Sequence, residues 1–319
     1  VMYGETSKPI VSDGDANSAN AQQALLVMRE GTIWNAVSFI HTDEGRRSWE
    51  VCKHDMGSNK DWVMGRARGV MGETPLHLAV LFNNSPQHDM VMCELWDKCP
   101  RLRTAVYLEP LYRGENVLHI AIVRKLNFSV IRKFVESPEG PTLLSQAATG
   151  LFFKDPTMSD GCCAYGEYPL CFAACTNQKD VFDYLVSKGA PLTVRTSEGR
   201  NLLHLLVLHS VHKATDQNFE DAAEASDKED AFRWCMDMYD HVKDHMVQKG
   251  IYNEMARQLD DNKHTPLTLA AAKGSLSMFF HLLSMYMTVE WTFGPVTCRK
   301  LVLDFVDIPL SREQNRKSV

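Results

Sequence analysis

His241 and His245 are the residues of this sequence best spaced for chemistry. Four residues apart on a helix places both imidazoles on one face. The run His241-Val242-Lys243-Asp244-His245 resembles the inverted H-x-x-E-H zinc motif, with aspartate in place of glutamate. Zinc needs a third protein ligand, and the neighbouring sequence supplies none, so the expectation is a solvated helix face. Cys162, Cys163, Cys171 and Cys175 could be drawn as a second cluster. Cys171 and Cys175 sit one turn apart in an apolar run, which reads as core packing. Cys162-Cys163 reads as an exposed pair open to oxidation. Arg46, Arg47, Arg66 and Arg68 could mark a phosphate patch, but scattered surface arginines are the plainer reading. No P-loop, G-x-G-x-x-G, G-x-S-x-G or H-E-x-x-H is present. The expectation is therefore no catalytic residue, no metal and no cofactor: the chain is not read as an enzyme.

Composition narrows the class. Of 319 residues, 45% are hydrophobic and 23% charged, ordinary for a chain that buries a core. A net charge of −6 gives no broad attraction to nucleic acid. Nine cysteines, an odd number at irregular spacing, fit a reducing compartment better than a disulfide framework. Residues 1–20 are polar and carry no signal-peptide stretch, which reads as cytosolic.

The elements that must position these residues come from self-similarity. Four segments align on a glycine: G-E-T-P-L-H-L-A-V from Gly72, G-E-N-V-L-H-I-A-I from Gly114, G-E-Y-P-L-C-F-A-A from Gly166 and G-R-N-L-L-H-L-L-V from Gly199. A fifth, K-H-T-P-L-T-L-A-A, starts at Lys263. This is the T-P-L-H-x-A signature of ankyrin repeats. Thr74 and Thr265 are placed to cap a helix, and prolines follow where a missing N–H costs nothing. His77, His119 and His204 recur at one position and read as structural. Spacings of 42, 52 and 64 residues between starts, against 33 from Gly166 to Gly199, imply long insertions. The outer helix of the Gly199 repeat is expected to begin late, at Ser226-Asp227-Lys228-Glu229. With a degenerate first repeat over Thr32–Val51, the total is six.

After Tyr286 the apolar period switches to alternation. Val289, Trp291 and Phe293 are placed on one side, Gly294-Pro295 makes a turn, and Val296 and Cys298 continue, which predicts a β-hairpin. The fold class is thus an all-α repeat solenoid of six helix-turn-helix ankyrin repeats with long fingers, followed by a small β-hairpin linker. Residues 1–24 form a polar N-terminal segment, 25–287 the repeat domain and 288–319 the linker. In the last helix, Leu276, Phe279, Phe280, Leu283 and Tyr286 form an apolar stripe expected to face the array. Met278, Leu282 and Met285 form a second, expected to face away. The same helix, Ser275 to Met287, is too short to span a membrane.

Irregular fingers, six repeats and a W-T-F-G-P hairpin together resemble the cytosolic N-terminal domain of vanilloid-type TRP (TRPV) channels. The most specific segment is Y-G-E-Y-P-L-C-F-A-A-C-T-N-Q, Tyr165 to Gln178, which resembles that family's fourth repeat. F-F-K-D-P before it resembles the long third finger, and cysteine and finger details look closer to invertebrate members. The resemblance implies a tetrameric calcium-permeable cation channel whose transmembrane part lies beyond this chain. Homo- or heteromeric TRPV subunits would be its partners. The hairpin of one subunit would touch the repeats of the next, which makes Trp291 and Phe293 the candidate inter-subunit contacts. Leu151, Phe152 and Phe153, apolar residues on a loop, are candidate partner contacts of the finger. Tyr112 and Glu115 are candidate contacts for a concave-face ligand or calmodulin. Some family members bind ATP on that face through lysines. Here the matching positions are Glu73 and Leu78, with Glu30-Gly31 in the first repeat, which argues against ATP. The competing readings are a free-standing ankyrin adaptor and, far behind, a hydrolase using His241 and His245.

Overall fold

A computed structural model describes residues 33–154, 164–215 and 225–302. Cys162, Cys163, residues 1–24 and residues 216–224 lie outside the described residues. The chain divides into two compact units, Val1–Leu151 and Phe152–Val319.

The first unit is built from helix pairs. They are α1 (Ile33–Ser38) with α2 (Asp43–Cys52), α3 (Pro75–Leu81) with α4 (Pro86–Lys98), and α5 (Val117–Val123) with α6 (Phe128–Val135), followed by α7 (Gly140–Ser145). The first helices of successive pairs stack, α1 on α3 and α3 on α5. Fully buried Ala79 and Ala121 allow that close approach. Two of these pairs, those of α3 and α5, start from the same local chemistry. Thr74 Oγ1 accepts from the His77 amide while His77 Nδ1 accepts from the Thr74 amide at 3.0 Å. Asn116 and His119 repeat that box, with His119 Nδ1 accepting from the Asn116 amide at 3.2 Å. The repeated histidine is therefore a capping residue. Its upstream glycine has a backbone reason. Gly114 has φ +84° and a Cβ there would lie 2.1 Å from the Ala147 carbonyl oxygen.

The second unit follows the same scheme. It pairs α8 (Pro169–Cys175) with α9 (Lys179–Ser187), α10 (Leu202–Thr215) with α11 (Ala225–Gln248) plus the short α12 (Tyr252–Arg257), and α13 (Pro266–Ala272) with α14 (Leu276–Met285). The first helix α10 stacks on both α8 and α13. Asn201 and His204 cap α10, and Thr265 with Thr268 caps α13. At the glycine position of the last pair stands Lys263, which takes φ +66°. This mostly helical, pairwise architecture fits a helical repeat domain. No described helix is long and apolar enough to cross a membrane.

One expectation is corrected in part. In α14, Met278 and Leu282 are fully buried, whereas Leu276 is 67% and Phe280 61% exposed. Of the stripe predicted to face the array, Leu276 and Phe280 face out, Phe279 and Leu283 are half-buried, and Tyr286 is buried. Every residue from Met278 to Leu283 except His281 is apolar, so spacing alone yields two equivalent stripes. The entering turn chooses between them: Gly274 takes φ +72° and the Ser275 amide donates back to the Ala270 carbonyl at 3.0 Å.

The chain continues directly into β1 (Met287–Phe293) and β2 (Val296–Leu301), an antiparallel pair closed by Gly294-Pro295. Gly294 has φ +57°, as the primed turns of two-residue hairpins require. Phe293 pairs with Val296 and Trp291 with Cys298, but Val289 pairs with Arg299, leaving Glu290 in a bulge.

Candidate interaction surface

Directly paired residues share a sheet face, and successive residues alternate. Trp291, Phe293, Val296 and Cys298 consequently line one face of the hairpin. The bulge at Glu290 breaks the alternation and puts Val289 on the other face with Met287, Thr292, Thr297 and Arg299. The expectation that Val289 joins Trp291 and Phe293 is corrected by that one extra residue. Trp291 is 54% and Phe293 82% exposed. An indole and a phenyl ring on one face of a two-stranded ribbon, with Val296 also exposed, form an apolar patch on a sheet too small to bury it.

The concave-face candidates are placed differently. Glu115 lies inside the first unit at 2% exposure, so it is not displayed to a ligand. Its Oε1 has no hydrogen-bond partner among the described residues, and burial pushes its carboxyl up to about 8. The burial recurs in the repeats: the glutamate after the glycine is buried at Glu73, Glu115 and Glu167. Glu73 at the equivalent position accepts from the Met71 amide at 2.8 Å, and Glu167 accepts from the Ser197 amide at 2.9 Å. Tyr112 is half-buried, its ring 5.8 Å from that of Tyr107.

Of the finger residues, Phe152 and Phe153 are buried and Leu151 remains partly exposed. Phe153 packs 5.1 Å from Phe172 of α8, so its apolar character is accounted for by packing within the second unit. Cys171 and Cys175 are buried as core residues, and burial pushes the Cys171 thiol up to about 12.

His241 and His245 do project from one side of α11, and α9 brings them a third group. Asp183 Oδ1 accepts from His241 Nε2 at 2.6 Å and from His245 Nε2 at 2.7 Å. Sequence reasoning missed Asp183 because it lies 58 residues before His241. The available signal was the repeat alignment, which places both on second helices of consecutive pairs.

No family model matches the chain. Curated relatives do. The chain is 29% identical over 300 residues to transient receptor potential cation channel subfamily V member 5 of Mus musculus, covering 93% of this chain and 36% of that protein. Subfamily V member 6 of Homo sapiens is 29% identical over 240 residues, 75% of this chain and 28% of the channel. Subfamily V member 2 of Homo sapiens is 33% identical over 213 residues, 61% and 24% respectively. The chain is TRPV-like. The comparison bears out the resemblance read from the repeats and the hairpin. The TRPV relatives are ion channels, not enzymes, and the chain spans only about a quarter to a third of their length.

Proposed function

We propose that this chain is the cytosolic assembly and regulatory domain of a tetrameric, calcium-permeable, non-selective cation channel of the TRPV type. In this reading it holds six ankyrin repeats over residues 25–287, and residues 288–319 lead toward the membrane-spanning part. Five signature starts and the pair α1–α2 support the count of six. The domain has no catalytic role, and other TRPV subunits are its partners. The absence of the family's lysines argues against ATP.

The observation that carries the assembly role is the exposed hairpin face. Trp291 and Phe293 sit on a two-stranded ribbon that leaves them exposed. Aromatic side chains of this kind are common anchors at protein interfaces. The repeats of a neighbouring subunit are the proposed cover. Replacing both Trp291 and Phe293 by alanine in the full-length channel should lower tetramer yield in detergent. The same double change should leave the melt of the 319-residue chain within about 0.5 kcal/mol of the parent, as expected at exposed sites. A normal tetramer from that variant would reduce the hairpin to a local cap.

A further inference from the structure

We propose that Asp183, His241 and His245 form a binding site for a divalent zinc ion. Their ligand atoms all lie within 4.8 Å of one another, and both imidazoles direct Nε2 at the same carboxylate oxygen. Two imidazole nitrogens and one carboxylate are a donor set that suits zinc, whereas calcium and magnesium prefer all-oxygen shells. The net charge of the bound site is +1 with neutral histidines, so the carboxylate offsets half of the ion's charge.

The frame is prepared on both sides. The histidines are four residues apart on α11, and their rings lie 5.1 Å from each other. The Phe182 ring, next to Asp183 on α9, stands edge-on to them at 5.9 and 5.6 Å and limits their rotation. Nε2-to-oxygen distances of 2.6 and 2.7 Å are shorter than the separation of about 3.3 Å between ligands that bond lengths near 2.0–2.1 Å impose. Binding therefore spreads the trio by less than about 1 Å. The side chains have room for that, since Asp183 is 46% exposed and the histidines about a quarter. Each neutral histidine moves its proton from Nε2 to Nδ1 through solvent, no electron is transferred, and water takes the fourth position. The ion would brace α9 against α11, the second helices of neighbouring pairs.

Zinc itself is the probe, titrated calorimetrically into the full 319-residue chain at neutral pH with a mild reductant present. The expected result is one saturable ion and a melting midpoint that rises with zinc. His241→Ala with His245→Ala should weaken binding at least about tenfold and abolish the shift, as loss of ligands demands. Asp183→Asn, which keeps the shape and so guards against misfolding, should weaken it in the same direction. Cobalt substitution should give a tetrahedral visible spectrum without a thiolate charge-transfer band. Equal zinc affinity in parent and double variant, no saturable binding, or a thiolate band would overturn the site. The trio would then be a hydrogen-bonded cluster only.

Discussion

His204 Nε2 lies 2.9 Å from the carbonyl oxygen of His264, so the histidine that caps α10 also holds the loop of the following pair. Because Nε2 must donate to a carbonyl, Nδ1 is the unprotonated nitrogen, and it accepts from the Asn201 amide at 3.3 Å. Asn201 Oδ1, 2.8 Å from the same Nδ1, accepts from the Leu203 and His204 amides. Burial accordingly lowers the His204 imidazole to about 4. His77 is lowered to about 3, by burial first and then by Arg68.

These depressed values give acid sensitivity with a definite sign. The unfolded chain binds a proton at each site below about pH 6.5, whereas the folded chain refuses it until about pH 4 or 3. The stabilisation is thus complete above pH 6.5 and is lost as pH falls toward those values. His204→Gln should cost about 1–3 kcal/mol at pH 7 and flatten the fall between pH 6.5 and 4. Urea unfolding midpoints across that range measure both effects.

Glu115 predicts the opposite slope. Its folded value of about 8 lies above the unfolded carboxylate range, so the buried acid favours the fold at low pH and loses that advantage as pH rises to 8. Glu115→Gln keeps the shape and removes the charge. It should stabilise the chain by about 1–2 kcal/mol at pH 8.5, with the gain vanishing below about pH 4.5. Paired melts of parent and variant at the two pH values decide it.

Two substitutions at equivalent repeat positions should have opposite signs. Gly114→Ala forces a Cβ against the Ala147 carbonyl at φ +84° and should destabilise by about 2 kcal/mol or more. Lys263→Gly relieves a lysine held at φ +66° and should be neutral or stabilising by up to about 1 kcal/mol. Denaturant midpoints at fixed pH test the pair.

The bulge at Glu290 makes the two hairpin faces unequal. If the Trp291 face is the covered one, Cys298→Lys in the full-length channel should lower tetramer yield, because Cys298 pairs with Trp291. Thr297→Lys, one residue away on the opposite face, should leave the yield unchanged. Size-exclusion profiles of both variants against the parent read the difference.

The repeat starts were legible because each packs several of the same local demands into nine residues, drawn from a positive-φ glycine, a capping pair, a proline and a buried alanine. The hairpin was legible from its alternation and its Gly-Pro turn. The exposure of Leu276 and Phe280 in α14 was not, because both sides of the helix are apolar and only the Gly274-Ser275 turn distinguishes them. The burial of Glu115 was not legible, because a charged residue ordinarily signals solvent. Asp183 escaped notice because its partners come from a different helix pair. Phe152 and Phe153 read as a sticky loop because their packing depends on the fold around them.

The helices α3, α5, α8 and α13 are each seven residues long, while their partners α4, α6, α9 and α14 have 13, 8, 9 and 10. Seven residues make a rod of about 10 Å, and these four first helices share that length whatever length the partner takes. The variation in length between these pairs is thus carried by the second helix. In the α10–α11 pair, at 14 and 24 residues, both helices are longer.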